Sequence, residues 1–219
     1  RELGETEITT EDGIEVFQDQ KFYLLKKNVK IKSDDFNLNA DNVKISFNKN
    51  LYDIVSLKAS GKVIFDSSKY KMNGRGEELD FNIKEEELKI EGLRSKLNTE
   101  EIEMLSDGFV KVNNLSGKFT VNGANSELKN TIIQIEAEYI DGVFVENLNG
   151  REISFLNVLD KQISYIKNNE TEMFAKKINF DNNTSIIELF ENVKIIRDGQ
   201  TIIGDYGTLD TKNNSYKIK

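Results

Sequence analysis

Short runs of alternating apolar and polar residues dominate this chain and constrain its fold more than any other feature. In "NVKISF", Val43, Ile45 and Phe47 alternate with Lys44 and Ser46, and "KVIFD", "ELDFNI", "FVKV", "KFTVNG", "KKINF" and "NVKII" follow the same scheme. Successive side chains of a β-strand point to opposite faces, so a period of two predicts strands with one buried face. Turn-forming residues follow these runs at a spacing of roughly 8–12 residues. The pattern predicts an antiparallel all-β fold.

Helical alternatives are weak. The segment 83–105 is rich in Glu, Lys and Leu, but Leu88 and Ile90 alternate as in a strand, and Gly92 would interrupt a helix. A short helical turn at 98–105 is the best helical candidate, and strand is the favoured interpretation. The chain has no proline. That suits a continuous hydrogen-bonded sheet, although the composition of an AT-rich genome would have the same effect.

The chain also repeats itself. With Asn28 placed over Asn192, the segment up to Ile54 aligns without a gap with the segment up to Ile218, and both copies begin with Asn-Val-Lys-Ile. Weaker copies begin at 61, 107 and 172, and the segment 93–171 is the most divergent. Repeats of about 35–45 residues predict a stacked β architecture, because one unit cannot bury its own apolar face.

The absence of histidine and cysteine removes whole classes of chemistry. The chain lacks the usual general base and the commonest metal ligand, and it can form no disulfide or thiolate site. We therefore expect neither a cofactor nor a metal. The formal net charge is −8, with both signs interspersed, which argues against nucleic acid as a partner because phosphate-backbone binding needs a basic face. No apolar run approaches the roughly 18 residues of a transmembrane helix.

Two features suggest a site but are better explained by turns. "NGRGEEL" at 73–79 lacks the Lys-Ser/Thr of a phosphate loop, so a bulge or tight bend is expected. A set of carboxylates lacks the spacing of a calcium loop, and Asp near a turn usually hydrogen-bonds its own backbone. These carboxylates are Asp34, Asp35, Asp41, Asp198, Asp205 and Asp210.

The segment "SFLNVL" at 154–159 departs from alternation. Two interpretations of it remain open, a loop and an exposed apolar edge.

The succession "NVKIKSDDFNLNADNVKISFNKN" resembles the OstA-like repeat of periplasmic lipopolysaccharide-transport proteins. That repeat has Asn-Val before an apolar residue, then an acidic or glycine turn, then a small residue followed by Asp. The first copy supplies Asn28-Val29, Asp34-Asp35 and Ala40-Asp41, and the last copy supplies Asn192-Val193, Asp198-Gly199 and Gly204-Asp205. The opening segment 8–29 is similar to the start of LptA-type proteins. The resemblance covers 8–92 and 172–219 well and 93–171 poorly.

The resemblance implies a single all-β domain over 1–219, an elongated and twisted β-jellyroll of stacked OstA-like repeats, mostly antiparallel and open along one side. It implies a non-enzymatic periplasmic protein, exported by a signal peptide removed before Arg1. The protein would bind lipopolysaccharide and carry the acyl chains of lipid A in an apolar groove from the inner to the outer membrane. Its partners would be LptC-like and LptD-like components and, through edge strands, further copies joined head to tail.

The resemblance and the alternation together select candidate residues for two sites. The edge-strand candidates lie at the two ends of the chain: Ile8, Ser215, Tyr216, Lys217 and Ile218. The groove candidates are apolar residues of the alternating runs: Val16, Phe22, Leu24, Val29, Ile31, Phe36, Leu38, Val43, Ile45, Phe47, Val63, Phe65, Phe81, Val193 and Ile195.

Alternation alone does not separate a packed core from a lipid-binding cavity. A structural or adhesive β-solenoid, with a filled and dry interior, therefore stays open as the alternative function. A carbohydrate-active enzyme on a β-scaffold would need two carboxylates that face each other in a cleft. The abundance of Asp and Glu leaves that hypothesis open as well.

Overall fold

All regular structure in the computed structural model, which describes residues 6–219, is β-strand. Arg1, where the predicted domain begins, lies outside the described residues. The strands are β1 Glu7–Thr9, β2 Ile14–Phe17, β3 Phe22–Lys32, β4 Asn37–Phe47, β5 Ile54–Ser67, β6 Met72–Asn82, β7 Glu87–Glu91, β8 Ser95–Thr99, β9 Ile102–Ser106, β10 Phe109–Asn113, β11 Lys118–Lys129, β12 Ile133–Asn147, β13 Gly150–Asn168, β14 Thr171–Asp181, β15 Ile186–Arg197, β16 Gln200–Asp210 and β17 Ser215–Ile218.

The strands pair with one another in an antiparallel meander that follows the chain. Elsewhere in the sheet, a pair of short strands lies end to end along one long strand. Strands β1 and β2 pair with opposite ends of β3, and β7 and β8 pair with opposite ends of β6. Strands β9 and β10 continue from β8 and β7 and both join β11. The predicted antiparallel all-β fold is confirmed, and segment 98–105 forms the β8–β9 hairpin instead of a helical turn.

The long strands β3 to β5 and β11 to β15 are bent near their middles, where the hydrogen-bond register shifts. In β3 the shift lies between Lys26 and Val29, and Lys27 and Asn28 have φ angles of 65° and 52°. Such left-handed conformations cost a non-glycine residue about 1–3 kcal/mol, with Asn among the most tolerant. The last copy of the sequence repeat has the same bend in β15, between Phe190 and Val193. The sequence repeat is therefore also a repeat of the bend.

The bends divide the sheet into two layers that face each other. Layer A contains the segments nearer the turns at 48–53 and 83–86, such as 54–60 of β5 and 78–82 of β6. Layer B contains the segments nearer the turns at 33–36 and 68–71, such as 63–67 of β5 and 72–76 of β6. The buried apolar residues of both layers form one core. This folded, two-layered sheet is the expected β-jellyroll.

Two glycines let the layers approach closely at β6. A Cβ atom on Gly74 of layer B would lie 2.5 Å from Cδ1 of Ile90 in layer A, and one on Gly76 would lie 2.4 Å from Cγ2 of the same residue. "NGRGEEL" is therefore a close contact between layers at the point where β6 changes partner from β8 to β7. The expected bulge lies on the neighbouring strand, between Ser60 and Val63.

The carboxylates predicted to form turns divide into two groups. Asp210 closes its turn, because its Oδ1 accepts the backbone N–H groups of Lys212 and Asn213 at 3.0 Å. Asp41 and Asp205 instead lie within β4 and β16. The Asp41 side chain packs against Gly61, where a Cβ atom would lie 2.3 Å from its Oδ2. The small-residue and Asp positions of the repeat therefore belong to the bend.

Segment 154–159 is neither a loop nor an edge. It lies within β13, which pairs with β12 and β14 on its two sides. A register irregularity opposite Val143 and Phe144 shifts the alternation there, so that Ile153 and Leu156 are both buried while Phe155 is 41% exposed. The bulge explains the interrupted pattern.

Candidate functional site

The space between the two layers is the candidate site, and most of the predicted groove residues point into it. These residues expose at most 5% of their surface and come from both layers. They are Val29, Ile31, Phe36, Leu38, Val43, Ile45, Phe47, Val63, Phe65, Phe81, Val193 and Ile195.

Three predicted groove residues do not point into this space. Val16 is 39% exposed on β2, and Phe22 and Leu24 lie half-buried on the outer face of β3. Phe22 stacks on Phe17 with ring centroids 4.6 Å apart. Tyr23 and Leu25 occupy the inward positions instead, with 0% and 1% exposure. The run "FYLLKK" is apolar at four successive positions, so its pattern does not determine which side chains face inward.

The divergent segment 93–171 contributes the same kind of inward face. Sequence reasoning named no groove residue there, although "FVKV" and "KFTVNG" show the alternation. Its fully buried apolar side chains belong to the same core as those of the outer repeats. They include Leu97, Ile102, Met104, Val110, Val112, Val121, Leu128, Ile135, Ile140, Leu156, Val158 and Ile166.

An aromatic cluster fills the interior in the amino-terminal third. The Phe81 ring of layer A meets Phe65 of layer B with centroids 5.3 Å apart. Phe36 and Tyr70, from the turns of layer B, each lie 5.5 Å from Phe81 in edge-on geometry. Edge-to-face packing is one of the two favoured arrangements of aromatic rings. At this level the interior is a packed core.

The amino-terminal end of the interior opens into a small apolar cavity of 180 Å³. Ile8, Ile14, Leu25 and Leu51 line it, together with Tyr23 and Tyr52. The Tyr23 hydroxyl donates a hydrogen bond of 2.7 Å to the Leu51 carbonyl oxygen. Burial is the main reason that the pKa of Tyr23 lies above its usual range.

Larger depressions lie beside the bends. One of 410 Å³ crosses β3 to β6 and is lined by Leu24, Lys44, Lys58 and neighbouring residues. Another, of 640 Å³, crosses β11 to β14 beside Tyr165 and Phe174. Burial, followed by a hydrogen bond from the Tyr165 hydroxyl to Glu172, raises the pKa of Tyr165 to about 12.

Among residues 6–219, the buried residues of the interior include no Asp, Glu, Lys or Arg, and the Arg151 side chain, which is 3% exposed, lies at the margin of the interior. The polar residues buried there are all Ser, Thr or Asn. Several of their hydroxyl groups donate to backbone carbonyls, as Thr99 does to Lys71 at 2.8 Å and Ser95 to Gly92 at 2.7 Å. In the same range, no group of His, Cys, Asp and Glu is arranged to hold a metal ion, and no helix is long and apolar enough to cross a membrane. Such an interior suits an apolar guest, because a buried charge would add a desolvation cost.

The side of the jellyroll opposite the bends, where the turns of the two layers meet, is called the seam here. Polar contacts cross it. Lys71 of layer B forms an ion pair with Glu146 of layer A at 3.3 Å. Arg151 of layer A donates to Thr99 Oγ1 of layer B, and Arg197 of layer B donates to the Asn214 carbonyl oxygen of layer A at 2.8 Å. Sequence reasoning missed both arginines, since their partners are remote in sequence and no motif marks them.

The predicted edge residues lie in the terminal strands. Ile8 belongs to β1, which pairs with β3, and residues 215–218 form β17, which pairs with β16. Among residues 6–219, neither β1 nor β17 has a second pairing partner. Their free edges present unpaired backbone groups, which can add a strand from another chain.

Together, the fold and the site define a two-layered β-jellyroll with an apolar interior and free edges at both ends. The family model described as "LptA/(LptD N-terminal domain) LPS transport protein" matches residues 12–124, slightly more than half of the chain. The chain therefore belongs to this family, and the resemblance deduced from the repeats is confirmed.

The comparison with solved structures includes the crystal structure of LptH, described as the LptA homologous periplasmic component of the conserved lipopolysaccharide transport device from Pseudomonas aeruginosa. It is 10% identical, the match covers 98% of this chain and 82% of that chain, and the TM-score is 0.23. A TM-score this low supports no argument about fold or function. The comparison with curated proteins gives no match.

Proposed function

We propose that this chain is a periplasmic, non-catalytic lipopolysaccharide carrier that holds the acyl chains of lipid A between its two layers and bridges the inner and outer membranes. Membership of the LPS transport family is the observation that carries the proposal most directly. The apolar interior, to which the divergent segment also contributes, supports it. Carriage without chemical change needs no catalytic group, and the interior has no buried carboxylate among the described residues.

Hydrophobic burial supplies the binding energy in this proposal. Each methylene group transferred from water to an apolar site contributes about 0.8 kcal/mol, so a few buried acyl chains suffice without a charged anchor in the interior. The protein's own charge does not favour an anionic glycolipid, because the formal net charge is −8. The sugars and phosphates would remain outside the apolar interior.

A structural β-solenoid with a dry core is the second candidate function. The cluster of Phe36, Phe65, Tyr70 and Phe81 favours it, because these rings fill the interior where they lie. A lipid carrier with this interior must separate its layers or rearrange these side chains when an acyl chain enters. The two functions therefore differ in whether the interior opens for lipid.

Photocrosslinking distinguishes the two functions. A photoreactive residue replaces Ile31 or Ile45, which point inward, or Lys30 or Lys44, which are their exposed neighbours on the same strands. The carrier proposal predicts lipopolysaccharide adducts from the two inward positions and few from the outward ones. Equal labelling from both faces, or none from Ile31 and Ile45, would contradict it.

We further propose that copies join head to tail, and that LptC-like and LptD-like components engage the ends, through β1 and β17. Lys219 exchanges backbone hydrogen bonds with Tyr206 on β16, and backbone groups alternate in direction along a strand. The N–H of Ile218 therefore points to the free edge. Ile218→Pro removes this donor, whereas Ile218→Val keeps it and keeps an apolar side chain.

Sedimentation velocity at increasing protein concentration tests the association. The wild type and Ile218→Val should form larger species as concentration rises, and Ile218→Pro should remain smaller at the same concentration. Identical sedimentation of all three proteins would refute association through this edge, while leaving lipid carriage untouched.

A further inference from the structure

Arg151 is an inward-pointing arginine at the seam. It follows the β12–β13 turn on layer A, and its side chain is only 3% exposed. Its guanidinium lies over the Phe144 ring at 4.7 Å and donates hydrogen bonds to Asn114 Oδ1 of layer A and Thr99 Oγ1 of layer B. One cation thus ties the two layers together directly above the apolar interior.

Arg197 repeats the arrangement from the other layer. It precedes the β15–β16 turn on layer B, where Nε donates to Thr171 Oγ1 at 2.7 Å. Across the seam it donates to the backbone and side-chain oxygens of Asn214 and lies over the Tyr216 ring at 4.9 Å. Each arginine therefore has the same three kinds of partner: a buried Thr of layer B, an Asn in a turn of layer A, and an aromatic ring.

The charges of these two arginines are poorly compensated. The hydrogen-bond acceptors of Arg197 among residues 6–219 are all neutral. Arg151 has one carboxylate partner there, Glu146 at 3.3 Å, whose side chain is 57% exposed and which also pairs with Lys71. A guanidinium forms shorter and stronger hydrogen bonds with an anion than with a neutral oxygen, and two of its N–H groups match a phosphate. An anion that reaches the seam would therefore compete well with the Thr and Asn acceptors.

We propose that Arg151 and Arg197 are phosphate-binding residues that also latch the seam. In the empty protein they hold the layers together through Thr99, Thr171, Asn114 and Asn214. When an acyl chain enters between the layers, the phosphate of the same amphiphile replaces the Thr and Asn oxygens on the guanidinium groups. The ligand class is an acylated molecule with a phosphate next to its acyl chains, and the inference rests on the proposed lipid-carrier function.

Paired lipids test this proposal. Purified lipid A and the same lipid with its phosphates removed by a phosphatase have identical acyl chains. The ratio of their affinities for the protein therefore measures the contribution of the phosphate groups to binding. Both are titrated by competition with a fluorescent fatty acyl probe. The variants are Arg151→Gln, Arg197→Gln and their combination. Arg75→Gln is the control, because this substitution removes the same charge from a residue that is exposed on the outer face of β6.

We expect the wild type and Arg75→Gln to bind the phosphorylated lipid about tenfold more tightly or better, as a charge-assisted hydrogen bond provides. Each seam substitution should reduce that ratio, and the double variant should bring it near one while affinity for the dephosphorylated lipid stays the same or rises. Thr99→Val and Thr171→Val weaken the latch but keep both cations. They should therefore retain or increase the preference, and they test the proposal even if the Gln variants fold poorly.

The possible failures are distinct. A phosphate preference that survives in the double variant would show that the arginines are only structural. A wild type that binds both lipids equally would overturn the phosphate role and leave lipid carriage standing. A wild type that binds neither lipid would overturn both proposals.

Discussion

Phe81 is the residue whose removal should most damage the packed interior. Its side chain is 1% exposed and meets three aromatic rings, at centroid distances of 5.3 to 5.5 Å. Truncation of a buried Phe to Ala costs about 3–5 kcal/mol in transfer and cavity energy. Because Phe81 loses three aromatic contacts together with its buried surface, we expect Phe81→Ala to lie in the upper part of this range, at about 4–5 kcal/mol. Phe155→Ala is the matched control, since Phe155 is 41% exposed, and we expect a loss below about 1 kcal/mol.

Urea unfolding followed by circular dichroism measures both losses as shifts of the midpoint at constant slope. Because domains are stable by only about 5–15 kcal/mol, Phe81→Leu is included as a milder change with the same sign. An apolar cavity left by Phe81→Ala should also bind a short alkane, which would stabilise the variant more than the wild type. A loss for Phe81→Ala no larger than that for Phe155→Ala would refute the packing of the two layers through this cluster.

Three further predictions test the bends and contacts of the fold. Gly74→Ala should destabilise by about 1–3 kcal/mol, because its Cβ would lie 2.5 Å from Ile90 Cδ1 and 2.6 Å from the Lys96 carbonyl oxygen; adding Ile90→Val should recover part of the loss in urea unfolding. Asn192 has a φ of 54°, so thermal unfolding should show Asn192→Val less stable by about 1–3 kcal/mol and Asn192→Gly nearly unchanged. The pKa of Tyr165 is raised to about 12 in the folded protein. The protonated Tyr165 hydroxyl therefore stabilises the fold fully below pH 10, and this contribution is lost as pH rises from 10 to 12. Absorbance titration of tyrosinate should therefore lose a late transition in Tyr165→Phe, and an unchanged titration would contradict the assignment.

The sequence predicts the inward face well where apolar residues alternate singly with polar ones. Val43 and Ile45 lie inside and Lys44 lies outside, as "NVKISF" indicates. The prediction fails at Phe22 and Leu24, because a run of successive apolar residues is compatible with either face. The inward face is predicted from the contrast in polarity between successive residues, and the four successive apolar residues of "FYLL" show no such contrast.

The bends and the seam show a second limit of sequence reasoning. Lys27 and Glu191 adopt left-handed backbone conformations, although the local preferences of Lys and Glu disfavour them. The folded sheet imposes these bends, so the two residue types do not predict them. The Arg151 guanidinium donates a hydrogen bond to Thr99, which is 52 residues away in the sequence. Such a contact depends on which turns of the two layers meet across the seam, and that follows from the register of all the intervening strands.

Methyl NMR of the lipid complex tests most directly the claim that acyl chains lie between the two layers. The protein carries isoleucine methyl groups on both faces: Ile45 and Ile195 are buried in the interior, whereas Ile64 and Ile203 are 56% and 73% exposed outside. With methyl-labelled protein and unlabelled lipopolysaccharide, we predict intermolecular nuclear Overhauser effects from acyl methylene protons to Ile45 and Ile195 and none to Ile64 and Ile203. Contacts confined to Ile64 and Ile203 would place the lipid on the outer surface and contradict the carrier function.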